Sequence, residues 1–271
     1  MAANEEEPQT VGQLIRYWRT RRRRTQLELA LDASVSTRHL SFVETGRARP
    51  SRELLVYLAY QLDLPLAERN RLLLAGGFAP VYLEVPYDGP EMEPLRESLQ
   101  RLLDAHQPNP ALIVDGLWNL IEANAATSLL WDGVDPDLLK PPVNMLRLAV
   151  HPDGLPSVSS LTPACSTPLI RQLRQRSRDD ADEALGALVD EIESYLPPDL
   201  PSTPVHQPMA SLELRTRLGE VSLFTIIATL GAPLEVSAAN LAIETFLPAD
   251  GESARRLHTL AVVPEAAVAS V

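Results

Sequence analysis

The chain has 271 residues, of which 45% are hydrophobic and 22% charged, so it is long enough for two domains with cores of their own. It contains no run of about 18 apolar residues, and its first residues, MAANEEEPQ, are acidic, which predicts neither a membrane span nor a secretory signal. The single cysteine, Cys165, permits no internal disulfide, and we expect a cytoplasmic protein.

The formal net charge of −12 is unevenly divided along the chain. Residues 1–80 carry 12 arginines and 9 acidic side chains, a balance of +3, whereas residues 81–271 carry 12 basic and 27 acidic side chains, a balance of −15. A positive amino-terminal part can hold phosphate groups while the acidic remainder stays away from a duplex. The division therefore indicates that the two parts of the chain have different roles.

The first predicted helix follows a lead of residues 1–9, which we expect to be disordered. It runs from Val11 to about Arg23. Its inward face carries Leu14, Ile15 and Trp18. The arginine run 19–24 at its end is either a solvated face, which the helix dipole favours at a carboxyl terminus, or a set of phosphate contacts.

Residues Thr25–Arg49 fit two short helices that cross at a tight turn, a helix-turn-helix. The inward positions are Leu27, Ala30 and Leu31 in the first helix and Leu40 and Val43 in the second. Ala33-Ser34-Val35 is the predicted turn, and Ser36 follows as an N-cap. The side chains that then point away from the core, where a recognition helix meets base edges, are Thr37, Arg38, Ser41 and Phe42.

The pattern continues through Glu44, Gly46-Arg47 and Arg49-Pro50-Ser51, and over residues 11–78 the chain resembles the Xre or lambda-repressor-like DNA-binding family. Two more helices, Arg52–Leu62 and Pro65–Ala75, bring the predicted number to five, in an all-α domain of residues 10–80. The chain departs from the family at Ser34, where glycine is usual, because a positive φ strains a serine slightly.

Several residues of this motif are candidates for DNA contact. Arg38 is the most specific, because a guanidinium can bond guanine O6 and N7 together, although a phosphate contact is the alternative. Phe42 either touches a thymine methyl group or packs inward, and Glu44 is expected to tie helices together. In the family the position of Gln26 contacts phosphate or base, and the alternative is helix capping. The DNA-binding candidates are Gln26, Ser36, Thr37, Arg38, Ser41, Phe42, Arg47 and Arg49.

A linker and a connecting helix are predicted over residues 81–104. The segment Pro86–Pro94 holds Gly89 and three prolines and is the expected linker. Glu93–Asp104 is amphipathic, and it serves either as a connecting helix or as a dimer contact.

The elements after Pro108 predict an α+β domain. A hairpin of Ala111–Val114 and Leu117–Ile121 leads into a helix that begins near Asn124. Further helices are predicted at Val143–Val150, Arg171–Arg178 and Asp180–Tyr195, long strands at Val205–Leu214 and Glu220–Leu230, and a last strand or short helix at Leu241–Phe246. Residues 251–271 are expected to form a tail.

Three segments of this domain, ALIVDGLWNLIEANAAT, NMLRLAVHPDGL and LAIETFLPAD, resemble the MmyB-like family of Xre regulators over about residues 105–250. The resemblance implies a PAS-like fold and a small apolar ligand, because in that family this domain is associated with binding a fatty-acid-like molecule.

Candidate ligand contacts follow from the spacing on the helix at 143–150. Asn144, Arg147 and His151 fall at i, i+3 and i+7, so one face can present them together. Arg147 binds a ligand carboxylate, or alternatively it pairs with an acidic neighbour such as Glu244 or Asp250. Trp118 and Phe224 are candidates to line a pocket, although both also suit a plain core.

No catalytic or metal-binding pattern is found. The five histidines are widely spaced, Cys165 has no CxxC partner, and GxSxG, P-loop and GxGxxG motifs are missing from the sequence. We therefore expect no enzyme, no metal and no cofactor other than a bound fatty acid. The leading hypothesis is a homodimeric regulator that binds a double-stranded DNA operator and senses a small apolar ligand. The alternatives are a second domain that only dimerises or docks a protein, and an enzyme tethered to DNA.

Overall fold

Each of the first four helices begins at a serine or threonine whose hydroxyl accepts a backbone N–H three residues ahead. The capping residues are Thr10, Thr25, Ser36 and Ser51. At Thr25 the bond is reciprocal, because the Glu28 carboxylate accepts the Thr25 N–H at 2.7 Å. A cap of this kind stabilises a helix by about 1 kcal/mol, so local chemistry fixes where these helices start.

The computed structural model describes residues 10–159, 167–196 and 211–260, and the chain divides into two compact units. The first unit contains the five predicted helices: α1 (Val11–Arg21), α2 (Gln26–Asp32), α3 (Thr37–Glu44), α4 (Arg52–Gln61) and α5 (Leu66–Ala75). Its core is formed by Leu14, Ile15, Trp18, Leu29, Leu40, Val43, Leu55, Leu58 and Leu72. The N-cap predicted at Ser36 and the turn predicted at Ser34 are both confirmed, and the φ angle of Ser34 is +53°.

The inward face predicted for α2 is confirmed at Ala30 and wrong at Leu27 and Leu31. Leu27 and Leu31 are 57% and 68% exposed, while Leu29 and Ala30 are buried. Neighbouring residues on a helix are about 100° apart, so a buried stripe that passes between Leu29 and Ala30 leaves Leu27 and Leu31 on the outer side. The first motif helix therefore presents two leucines to solvent.

The second unit contains helices and one antiparallel sheet, which confirms the predicted α+β, PAS-like fold class. The helices are α6 (Glu93–Ala105), α7 (Met145–Val150), α8 (Leu155–Val158), α9 (Thr167–Asp180), α10 (Glu183–Ser194) and α12 (Gly251–Leu260). The strands are β1 (Ala111–Val114), β2 (Leu120–Ala123), β3 (Leu212–Thr216), β4 (Gly219–Thr229) and β5 (Ala242–Pro248), in the order β2-β1-β5-β4-β3.

The register of the central strands decides which side chains face the core of this unit. Glu244 of β5 lies opposite Leu112 of β1 and Ile227 of β4, and Phe246 lies opposite Thr225. Leu112 and Phe246 belong to the buried cluster that the helices cover, so Glu244 shares their face. Residues one position away, such as Phe224, point to the other side of the sheet.

Two predicted segments of this unit differ from the structure. A tail was expected from residue 251, but residues 251–260 form α12, because Asp250 accepts the N–H of Ser253 and the helix buries Leu257 completely. The second hairpin strand begins at Leu120 rather than Leu117, since the preceding residues form the turn. Part of the strand predicted at 205–214 lies outside the described residues, and β3 covers Leu212–Thr216.

A short segment between β4 and β5 belongs to the first unit. Residues Pro233–Ala239 include the single-turn helix α11 (Val236–Ala239), and the buried Val236 donates its N–H to Leu83 O at 2.8 Å. The Glu235 carboxylate accepts the N–H groups of Val85, Ser237 and Ala238 at 3.0, 2.8 and 2.6 Å. No local pattern could indicate this addition, because its contacts join residues 150 positions apart.

In the described residues, no helix is both long and apolar enough to cross a lipid bilayer.

We expect Glu235→Ala to lower the free energy of unfolding of the first unit by about 1–3 kcal/mol, since three backbone N–H groups lose their acceptor. Hydrogen exchange at the amides of Val85, Ser237 and Ala238 measures the effect. Glu84→Ala, an exposed glutamate in the same unit, is the matched control. Unchanged protection in Glu235→Ala would contradict the assigned role.

Candidate functional site

A buried carboxylate fixes the arrangement of the first three helices. Glu44, whose side chain is 2% exposed, accepts two bonds from the Arg19 guanidinium, at 2.6 and 3.0 Å, and one from the Gln26 amide at 2.7 Å. The three residues come from α1, α2 and α3, so the predicted role of Glu44 in tying helices together is confirmed. Gln26 takes part in this cluster, whereas the capping role considered for it belongs to Thr25.

The arginine run at the end of α1 is largely engaged within the unit. Arg22 donates to the carbonyls of Leu62 and Asp63 at 2.9 and 2.7 Å, at the carboxyl end of α4. Arg24 donates to Gln61 O at 3.1 Å and also forms an ion pair with Asp32. Positive charge at this position suits the negative end of the α4 dipole.

The outer side of α3 carries the DNA-binding candidates that the structure brings together. Arg38 and Arg47 flank the half-buried ring of Phe42, with guanidinium carbons 5.3 and 6.0 Å from the ring centroid. Arg38, Arg47 and Arg49 are exposed, and none of them pairs with an acidic residue in the part of the chain that the structure describes. Ser36 caps this helix, and Thr37 and Ser41 are half-buried on it. The result is a capped helix with Arg38 in its first turn and two further exposed arginines, Arg47 and Arg49, in the loop that follows it.

The second candidate site is not the single helical face that was predicted. Helix α7 begins only at Met145, with Asn144 as its N-cap, and it ends before His151, whose backbone is extended. The buried Asn144 donates its amide to Leu117 O at 2.8 Å and to Asn119 Oδ1 at 3.1 Å, so it holds the β1–β2 turn. The Asn144 amide group is therefore directed to the turn, while its Oδ1 accepts the backbone N–H of Arg147 at 3.1 Å as the N-cap of α7.

Trp118 lies in that turn with a left-handed backbone. Its φ angle is +64°, and its carbonyl accepts the Met145 N–H at 2.9 Å. This conformation costs a bulky residue about 1–3 kcal/mol, so the surrounding bonds must impose it. The ring is buried in the same cluster as Leu148, and the structure thus places Trp118 beside Asn144 in the core.

Arg147 is engaged by an acidic residue that the sequence did not single out. It donates two bonds to Glu191 of α10, at 2.6 and 2.8 Å, and Tyr195 donates its hydroxyl to Glu191 at 2.9 Å. The bonds from Arg147 hold the pKa of Glu191 below its usual value. His151 joins this cluster through its ring, 4.9 Å from that of Tyr195. The pairing of Arg147 with Glu244 or Asp250, which the sequence analysis considered, is therefore wrong.

Phe224 lies apart from the other ligand candidates. It is opposite Leu247 on the far side of the sheet from Leu223, so alternation along β4 separates it from the cluster that contains Trp118.

Glu244 is the residue in this domain that sequence reasoning overlooked as a site. It is 9% exposed, and no described residue donates a hydrogen bond to its carboxyl group or pairs with it. Burial raises its pKa to about 7. The sequence does contain a signal for this position. Side chains alternate along a strand, so Glu244 shares a face with Ala242 and Phe246, two residues to either side.

Among the residues that the structure describes, no group of three or more His, Cys, Asp or Glu side chains is arranged to hold a metal ion.

Comparison with known families identifies the second unit. A family model described as the MmyB-like transcription regulator ligand binding domain matches residues 95–260. The chain belongs to this MmyB-like family. The match begins within α6 and ends with α12, and it includes the turn of Trp118 and the Arg147–Glu191 pair.

Other comparisons are less informative. No curated protein matches the chain. A solved structure titled "Structure of an RNA-binding Light-Oxygen-Voltage Receptor" aligns with 93% of this chain at 13% identity and a TM-score of 0.28, which is too low to show a shared fold. The chain spans 64% of the length of that receptor.

We expect Glu44→Gln to lower the free energy of unfolding of the first unit by about 3 kcal/mol, because Arg19 is left without a buried counter-charge. Hydrogen exchange of the α1 and α3 amides reports the loss. Glu84→Gln, the same change at an exposed site, should leave exchange unaltered. An equal effect of the two substitutions would show that the pair contributes nothing.

The stability of the MmyB-like domain should depend on pH through Glu244. Its pKa is about 7 in the folded protein against 4.5 ordinarily, so the folded state holds an extra proton between these values. This contribution is fully present below pH 4.5 and is lost as pH rises through 7, a fall of about 3 kcal/mol. Urea unfolding at several pH values, compared with Glu244→Gln, isolates it from other titrating groups. Parallel stability curves for the two proteins would rule it out.

Proposed function

We propose that this MmyB-like protein is a transcription regulator that binds an operator in double-stranded DNA as a homodimer and senses a small apolar, fatty-acid-like ligand through its second unit. One observation carries the DNA-binding part. Arg38 on the capped helix α3 and Arg47 in the loop after it both lie against the ring of Phe42, and these two arginines and Arg49 are exposed without acidic partners among the described residues, in a unit of net positive charge.

The geometry of α3 suits entry into a major groove. The amino-terminal residues of a recognition helix reach base edges, and Arg38 lies in its first turn. A bidentate bond from an arginine to guanine contributes about 1–3 kcal/mol of discrimination. Arg47 and Arg49 follow the helix and are suited to phosphates, while Phe42 supports both Arg38 and Arg47 from between them.

Dimerisation is part of the proposal because one recognition helix reads only a few base pairs. Two copies that bind half-sites one DNA turn apart, about 34–36 Å, multiply the specificity of one. The operator is then expected to be pseudo-palindromic.

The ligand part rests on the match to the MmyB-like ligand binding domain and on the apolar core face of its sheet. A domain that only docks a protein is the second candidate, since Arg147 is already held by Glu191 and is not a free anion site. Mass spectrometry of gently purified, then denatured protein separates them: a co-purifying lipid supports sensing, and a clean spectrum supports docking.

The test of the whole proposal is a binding titration with DNA from upstream of the protein's own gene, at two salt concentrations, with and without a medium-chain alkyl compound. Tight, sequence-dependent binding that shifts on addition supports a ligand-responsive regulator. Binding no tighter than to random DNA would overturn the proposal.

Arg38→Ala and Arg47→Ala should have different effects. The first should reduce discrimination between operator and random DNA, because it removes a base contact. The second should weaken both about equally and flatten the dependence of log Kd on log salt by about 0.9, the share of one phosphate. Arg101→Ala, an exposed arginine of α6, serves as the control. Equal losses on both DNAs in both variants would contradict the assignment of Arg38.

A further inference from the structure

Strand β4 is covered along only part of its outer edge. It pairs with β5 from Leu223 to Thr229, whereas β3 pairs with residues 219–223 alone. Residues 224–229 therefore have β5 on one side, and on the other side no strand or bridge of the described residues accompanies them. Ile226 and Ile227 within this segment are 45% and 41% exposed. We call residues 224–229 the open edge.

The register shows which backbone groups point out of the sheet at the open edge. In an antiparallel pair, alternate residues direct their N–H and C=O groups to the same neighbouring strand. Ala249, which follows β5, donates its N–H to Ser222 O at 2.8 Å, so Ser222 and the even-numbered residues of the open edge bond towards β5. The N–H and C=O groups of Thr225, Ile227 and Thr229 point the other way, where no described residue bonds to them.

An edge of this kind is a template for another strand. Its unpaired N–H and C=O groups can bond a second chain, and proteins commonly prevent this with a charged side chain or a proline in the edge strand. The open edge, FTIIAT, contains neither. Its exposed isoleucines also add apolar contact area for a strand that pairs there, so the segment is suited to strand addition.

The segment of this chain that precedes β3 does not suit the open edge. Leu212 lies opposite Leu223, so the same register continued backwards by four residues would set Pro208 opposite Ile227. The outward carbonyl of Ile227 needs an N–H from the residue opposite it, and proline has none. A strand without proline at that position is required to satisfy the edge.

A second copy of β4 satisfies the open edge in one antiparallel register. When Ile227 lies opposite its own copy on a two-fold axis, Thr225 lies opposite the partner's Thr229, and every outward N–H and C=O group gains a partner. Only threonine and isoleucine side chains then face each other at these positions, so no like charges meet. Because β3 begins opposite Leu223, it does not overlap a partner strand that ends opposite Thr225.

We propose that the open edge of β4 is the interface of a dimer, in which two copies of the chain pair antiparallel around Ile227 and join their sheets. The inference rests on the homodimer of the proposed function and specifies its surface. Both copies contribute the same residues, so the interface closes after two subunits. Dimerisation is thereby assigned to the MmyB-like domain, while DNA reading stays with the first unit.

The experiment tests the register in the full-length protein by sedimentation velocity over a range of concentrations and by amide hydrogen exchange followed by NMR. The variant Thr225→Lys/Thr229→Lys sets like charges opposite each other twice in the dimer, whereas Thr225→Lys/Thr229→Glu sets opposite charges there. The control Gln100→Lys/Gln172→Lys adds the same charge as the first variant at exposed positions of α6 and α9.

The Kd of the dimer should rise by about tenfold or more in the double-lysine variant, because two like-charged pairs form in each dimer. The lysine-glutamate variant and the control should stay within about threefold of the wild type, since neither sets like charges across the interface. The amides of Thr225, Ile227 and Thr229 should exchange slowly only where the dimer forms. Slow exchange at the even-numbered residues of the open edge, in every variant, shows that the domain remains folded.

Three results would overturn the inference. A dimer of equal strength in all variants, with exchange at Ile227 independent of concentration, would assign the homodimer to another surface. A monomer at every concentration, with fast exchange at Ile227, would refute both the edge pairing and the homodimer of the proposed function. A monomer with slow exchange at Ile227 would show that the chain covers its own edge.

Discussion

The ion pair of Arg19 and Glu44, with the Gln26 amide as a third partner, is the interaction on which the first unit depends. It joins α1, α2 and α3 at a point from which water is excluded, so the three helices keep one relative orientation. The position of α3 follows from that orientation, and with it the positions of Arg38 and Arg47. The arginines proposed to contact DNA are thus positioned by a buried ion pair elsewhere in the unit.

Each unit contains a buried carboxyl group, and the two groups differ in their hydrogen bonding. Glu44 is fully bonded and holds its surroundings rigid, whereas Glu244 is left without a described partner on an otherwise apolar face. The first arrangement is typical of a structural element, whereas burial raises the pKa of Glu244 to about 7. The chain divides into two units, and Glu244 belongs to the one that matches the MmyB-like ligand binding domain.

Local chemistry explains which features could be predicted from the sequence. The N-cap at Ser36, the positive φ of Ser34 and the five helices depend on residues a few positions apart. The partner of Arg147 could not be predicted, because Glu191 is 44 residues away and reaches it only when α10 packs on α7. The predictions for Leu27, placed in the core, and for Phe224, placed beside the other ligand candidates, were wrong for a related reason. A sequence pattern shows which residues share a face, but not always which face meets the core.

The path of the chain between the units has a consequence for how such proteins can be recombined. The chain passes from one unit to the other three times, since Pro233–Ala239 returns to the first unit before the second is complete. A gene fusion that joined residues up to Val85 to a foreign sensing domain would leave out Val236 and Glu235, uncovering an apolar surface and an unmet backbone N–H. The first unit of this chain is therefore complete only when these seven residues accompany it.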